Sequence, residues 1–156
     1  IATLSVFPAV TSSIESTTNA LGALWSPTLF LLFNLGDLLG RHAAATFPET
    51  PSGASLLHLA LLRFAFIPLI AACNVTTPTW IVPVVFNHDV FAVVFILALA
   101  VTNGLLATVA VSHGARRVPP TRRQSEGVAL TTALIAGIFF GSLLSLGVVF
   151  LFSGAR

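Results

Sequence analysis

Pro27-Thr28-Leu29-Phe30-Leu31-Leu32-Phe33-Asn34-Leu35-Gly36-Asp37-Leu38-Leu39-Gly40-Arg41-His42-Ala43-Ala44-Ala45 decides how the rest of the sequence is read. The run is long enough to cross a hydrocarbon core of about 30 Å at ~1.5 Å per residue, yet it holds an acid and a base. A charged side chain at a bilayer centre costs from about 3 to above 10 kcal/mol, so it faces a bundle interior or a water-filled cavity. On a helix, Asn34, Asp37 and Arg41 fall within about 60° of one another, with Phe30 and Ala45 on the same stripe. The Asp-to-Arg spacing puts the two charges one turn apart, within reach of an ion pair. Two readings stay open. In one, the cluster is a polyol site: the carboxylate accepts from vicinal hydroxyls, the guanidinium donates, and Asn34 does both. In the other, the ion pair only neutralises itself.

Composition widens this to the whole chain. Of 156 residues, 56% are hydrophobic and 8% charged, and the mean hydropathy is +0.98. Soluble domains run near 25% charged, so this chain requires lipid as its solvent and reads as an all-α membrane protein. All seven basic residues are Arg, and Arg116, Arg117, Arg122 and Arg123 share one short stretch. That clustering fits a cytoplasmic loop between helices and argues against nucleic acid as a partner. Cys73 is the single cysteine, which excludes an internal disulfide. The first residues, Ile1-Ala2-Thr3-Leu4-Ser5-Val6-Phe7-Pro8, include neither Met nor a basic n-region and read as the inside of an apolar segment of a longer chain.

Four spans are expected, at residues 27–45, 54–73, 89–112 and 127–152, with residues 1–10 as the end of a preceding helix. Turn-rich segments separate them, the last a basic loop at 113–126 containing Pro119-Pro120. Alternate crossing puts that loop in the cytoplasm and the C-terminus, with Arg156, outside or in a lumen. Trp25 and Trp80 then fall at external helix edges, where indole belts sit. Asn74-Val75-Thr76 is a glycosylation sequon on the same side, taken as chance because it abuts the second span.

Other polar residues within spans carry less. Arg63 has no acid on its own helix, so it either braces helices through backbone carbonyls or meets an acidic or strongly polar partner beyond this chain. Pro68 deprives the Phe64 carbonyl of its donor and predicts a kink. Asn103-Gly104 is a polar break, lining a cavity or making an interhelical hydrogen bond. Gly137 and Gly141 form a G-x-x-x-G step, read as helix packing. His42, His58, His88 and His113 lie near span ends without Cys partners, so neither a metal nor any other cofactor is expected. With no nucleophile–base pattern or phosphate-cradling loop, an enzyme is not expected.

With these residues in hand, the chain resembles the C-terminal half of the equilibrative nucleoside transporter family. The resemblance rests on Val6-Phe7-Pro8-Ala9-Val10-Thr11; Phe33-Asn34-Leu35-Gly36-Asp37-Leu38-Leu39-Gly40-Arg41; and Arg63-Phe64-Ala65-Phe66-Ile67-Pro68-Leu69 with Cys73-Asn74. Phe86-Asn87-His88-Asp89, Thr102-Asn103-Gly104-Leu105-Leu106-Ala107 and the Gly137/Gly141 pair complete it. It implies a major-facilitator-like bundle of eleven spans, of which this chain holds the end of span 7 and spans 8–11. A missing N-terminal six-helix bundle of the same protein would close the cavity.

The resemblance further implies that Asp37 and Arg41 bind ribose beside Asn34, that Ile138 lies near the nucleobase, and that Phe7-Pro8 form an external gate. Phe30 would flank an apolar part of the ligand. The implied activity is equilibrative movement of purine and pyrimidine nucleosides, such as adenosine and uridine, across a plasma or intracellular (lysosomal or endosomal) membrane by alternating access. The alternatives are a proton-coupled carrier of nucleosides or organic cations, with Asp37 titrating, and a non-transporting truncated fragment. Two positions depart from the family pattern. Leu38 replaces a frequent Trp, and Gln124 stands where an acidic residue is common, so the resemblance does not carry that residue's cytoplasmic-gate role over to this chain.

Overall fold

The computed structural model describes residues 1–46, 51–75, 82–117 and 119–152. Trp80, Thr76 and Arg156 lie outside the described residues, as does part of each of the loops they belong to. The helices are α1 (Ala2–Val6), α2 (Trp25–Thr46), α3 (Gly53–Leu62), α4 (Phe66–Ala71), α5 (Asp89–Arg117) and α6 (Arg123–Phe152). Among the described residues, β pairing amounts to two isolated bridges, Ile14 with Val75 and Cys73 with Phe86.

Four helical stretches are long and apolar enough to cross a membrane: Gly22–Thr46, Gly53–Ala71, Asp89–Gly114 and Gln124–Phe150. Between 11% and 28% of the most apolar part of each is buried within this chain. Exposed side chains such as Leu38, Leu57, Leu62, Leu134, Phe139 and Leu146 cover the remaining faces. Water does not tolerate that much open apolar surface, and lipid or further protein does. The chain is an all-α, multi-pass membrane protein.

Local chemistry sets the boundaries. Ser52, with extended backbone, caps α3 by accepting from the Ser55 amide at 3.2 Å. The second span is interrupted: a 3-10 turn at Arg63–Ala65 separates α3 from α4, just ahead of Pro68, which has no N–H to offer the preceding turn. It ends at Ala71 rather than at residue 73, because Cys73 turns to bridge Phe86. At the start, α1 stops at Val6. Phe7 is forced extended (φ −106°, ψ 127°) by the proline that follows it, and the Phe7–Pro8 peptide is cis. At the other end α5 runs on through Arg116 and Arg117, and α6 begins at Arg123, so the irregular part of the basic loop is shorter than 113–126.

The structural centre is the pairing of α2 with α5. A Cβ added to Gly36 would stand 2.8 Å from Ala100 Cβ, one on Gly40 would strike the Val101 carbonyl, and one on Gly104 would strike the Asp37 carbonyl. Three glycines therefore let the two backbones touch, which is how helices gain dispersion contacts in a solvent as apolar as themselves. Leu29, Phe33, Ile96, Leu99 and Ala100 fill the seam, with Val6, Ile70 and Val148 closing its flanks.

Trp25 opens α2 and is buried, and its indole donates to the Ile14 carbonyl at 3.1 Å, holding down the segment between α1 and α2.

Candidate functional site

Where α2 and α5 touch, Asp37 and Arg41 of α2 are joined by three polar side chains from further points of the chain. Arg41 Nε donates to Asp37 Oδ2 at 2.7 Å. Asn103 Nδ2 donates to Asp37 Oδ1 at 2.7 Å. The Asn103 oxygen accepts from Thr3 Oγ1 at 2.7 Å and from Arg63 Nη2 at 3.0 Å. Arg63 Nη2 also donates to Thr3 Oγ1 at 2.6 Å and to the Leu99 carbonyl at 3.3 Å. One polar residue each from α1, α5 and the break between α3 and α4 is thus joined to the Asp37–Arg41 pair of α2.

The two ends of the network differ in access. The Asp37 side chain is 17% exposed and that of Arg41 is 53% exposed. With Nε committed to Asp37, the half-exposed Arg41 guanidinium keeps its terminal Nη groups for further bonds. Within this chain the pair is not sealed in helix packing. Each Asp37 oxygen already accepts one strong donor, and one acceptor position per oxygen remains for a ligand hydroxyl. What the arrangement offers is a fixed carboxylate beside a half-free guanidinium, a set of donors and acceptors suited to a vicinal diol.

Within this chain Arg63 meets two strongly polar partners, Asn103 and Thr3. The bond to the Leu99 carbonyl also makes it the brace between helices that the alternative reading described. Its Nε is buried without a partner. Asn103 makes an interhelical hydrogen bond, to Asp37.

The other site residues are distributed around this network. Asn34, exposed on the same face of α2, donates to the Phe30 carbonyl at 2.8 Å. Phe7 stacks on Phe33 (ring centroids 4.0 Å apart, 13° between planes) and leans on Phe30 at 4.8 Å, so the expected gate and the expected ligand-flanking ring form one aromatic cluster. Pro8 is exposed, and its carbonyl accepts from Thr11 Oγ1. Ile138 is half-exposed on α6, a helix that packs chiefly against α1, and it is not part of the network. Gly141 lies against α1, where a Cβ would meet Leu4 Cβ at 2.9 Å, and Gly137 faces Ile1 more loosely.

Asn74, of the sequon, donates its side-chain amide to the Glu15 carbonyl at 3.0 Å. Among the described residues no group of three potential metal ligands converges, and the four His stay scattered.

Sequence reasoning missed Thr3, an ordinary residue of an apolar helix until its neighbours are known. It also missed the second G-x-x-x-G step, Gly36 to Gly40, although the spacing was as visible as that of Gly137 and Gly141. Asp89 stands in the sequence reading only within the Phe86–Asp89 stretch; its partners were not foreseen, the carboxylate accepting from the hydroxyls of Ser16, Thr17 and Thr18 and from two backbone amides of the same turn.

Comparison with known proteins agrees with this architecture. A family model described as Nucleoside transporter matches residues 1–150. Equilibrative nucleoside transporter 2 of Mus musculus is 36% identical over 149 residues, covering 92% of this chain and 32% of its own length. Equilibrative nucleoside transporter 1 of Homo sapiens is 33% identical over the same shares. Equilibrative nucleoside transporter 4 of Danio rerio is 33% identical, covering 92% of this chain and 26% of its own. The chain spans about a third of the length of the curated relatives it matches. A match that runs along nearly the whole chain, through the apolar helices and the Asp37–Arg41 segment alike, places it: the chain belongs to the equilibrative nucleoside transporter family.

Proposed function

We propose that this chain is the C-terminal membrane portion of a facilitative nucleoside transporter, comprising the end of span 7 and spans 8–11 of a major-facilitator-like bundle. Six N-terminal spans of the same protein complete the cavity. Purine and pyrimidine nucleosides pass down their gradient by alternating access, with the 113–126 loop in the cytoplasm and the C-terminus outside or in a lumen.

The observation that carries this reading is the half-exposed Arg41 guanidinium held at 2.7 Å by a carboxylate inside an otherwise apolar helix. Lipid penalises such a group unless it faces protein or water, and a sugar edge supplies the hydroxyls that Asp37 and Arg41 can still bond. The Phe7–Phe30–Phe33 cluster lies on the N-terminal side of the charges along α2 and supplies an aromatic wall that a gate can use. Ile138 would come to the nucleobase only when the N-terminal bundle and α6 enclose the ligand together.

The test is uptake of radiolabelled uridine by the full-length protein carrying Asp37→Ala or Arg41→Ala, with surface delivery measured in parallel. Either substitution removes a group that bonds the sugar hydroxyls in this reading, so uptake is expected to vanish while delivery persists. Normal affinity in both variants refutes the site.

A further inference from the structure

The direction of every hydrogen bond in the network is fixed by chemistry. Asp37 can only accept, and Arg41 and Arg63 can only donate. Between Arg63 and Asp37 stands Asn103, whose oxygen accepts from Arg63 Nη2 and Thr3 Oγ1 while its amide group donates to Asp37 Oδ1. A residue in this place must accept on one side and donate on the other across about the width of a carboxamide. An ionised Asp has no donor for Asp37, Leu has neither function, and Ser is too short to span both.

The setting that makes this reach possible is the neighbouring residue. Gly104 lies against the Asp37 carbonyl and the Arg41 amide, the backbone of the turn that carries both charges. Asn103 is therefore held at a fixed offset from the pair, and its own far end is anchored by a cation and a buried threonine. A carboxylate gripped at one oxygen only could swing about its terminal torsion, which is broad for Asp. Gripped at Oδ1 by Asn103 and at Oδ2 by Arg41, it cannot.

We infer that Asn103 is a positioning residue for hydroxyl recognition: it fixes the plane of the Asp37 carboxylate, and through it the Arg41 guanidinium, in the orientation that reads the sugar's vicinal hydroxyls. This rests on the nucleoside-site reading above. A site built to bond a hydroxyl rejects the analogue that lacks it, and loosening the bonding group erodes that rejection first.

The experiment measures initial uptake of uridine and of 2′,3′-dideoxyuridine by the full-length transporter, normalised to surface protein. Asn103→Leu, with the same branched skeleton of heavy atoms and without hydrogen bonding, is expected to raise the KM for uridine at least tenfold. The KM for dideoxyuridine should stay within twofold and the maximal rate within threefold. Should Asn103→Leu fail to reach the surface, Asn103→Ser is judged by the same thresholds. Equal losses for both nucleosides, or a uridine KM within twofold of the unchanged protein, overturn the inference. Asp37→Ala runs alongside. If it abolishes uridine uptake while the Asn103 variant behaves normally, only the positioning role falls. If Asp37→Ala itself transports uridine normally, the site reading falls and the inference with it.

Discussion

Replacing Gly104 by Ala tests whether the backbone contact between α2 and α5 holds the site together. The added Cβ would strike the Asp37 carbonyl oxygen and stand 2.8 Å from its carbon and 2.9 Å from the Arg41 amide nitrogen. These atoms belong to a helix backbone and have no rotamer to change, so relief requires the two helices to separate by more than about an ångström to regain ordinary contact distance. Overpacking of this kind costs about 1–3 kcal/mol, and contact with backbone places it towards the upper end. Against that, Ala gains up to ~1 kcal/mol over Gly in a helix interior. The balance is a net loss of about 1–2 kcal/mol, a factor of roughly 5–30 in the folded population. The same separation lengthens the 2.7 Å bond from Asn103 to Asp37, so uridine affinity should fall with stability. Gly127→Ala is the matched control, since nothing lies within 4 Å of a Cβ there. The assay is thermal unfolding of the detergent-solubilised full-length protein, followed by uridine KM in cells. Gly104→Ala with a melting temperature and a KM equal to those of Gly127→Ala would show that the close approach has no part in building the site.

Two further outcomes follow from the segment between α1 and α2. Asp89→Asn weakens the acceptor of five hydrogen bonds from residues 16–18 and removes a negative charge from the first turn of α5, where the helix dipole favours it. A cysteine placed at exposed Ala20 should then react faster with a maleimide, in a background where buried Cys73 contributes little; an unchanged rate refutes the clamp. Trp25→Phe keeps the ring but leaves the Ile14 carbonyl without its indole donor, which should lower stability by about 1–3 kcal/mol in the same thermal assay; no loss would mean that water replaces the bond.

How much of this was legible in the sequence depends on which distances the chain itself fixes. Asp37 and Arg41 are four residues apart on one helix, so their pairing follows from helical pitch alone, and their position in an apolar run follows from the cost of charge in lipid. The bond from Asn103 to Asp37 spans 66 residues, and nothing local to either residue sets it. It depends on the register between α2 and α5, which Gly36, Gly40 and Gly104 decide by letting backbones meet at one height. Reading the Gly36–Gly40 step as an interface would have pointed to a partner helix with its own small residue, and Gly104 beside Asn103 was the candidate.

Arg63 was harder to read. Counting formal charges leaves it unpaired in this chain, and two readings stood open: a brace through backbone carbonyls, or a polar partner beyond the chain. Lipid does not demand a countercharge, however; it demands that each donor find an acceptor. The Leu99 carbonyl, Thr3 hydroxyl and Asn103 oxygen meet that demand at Nη2, although Nε stays unpartnered. Neutral acceptors are invisible to charge arithmetic, and in a membrane interior they are what allows a lone arginine to join three helices.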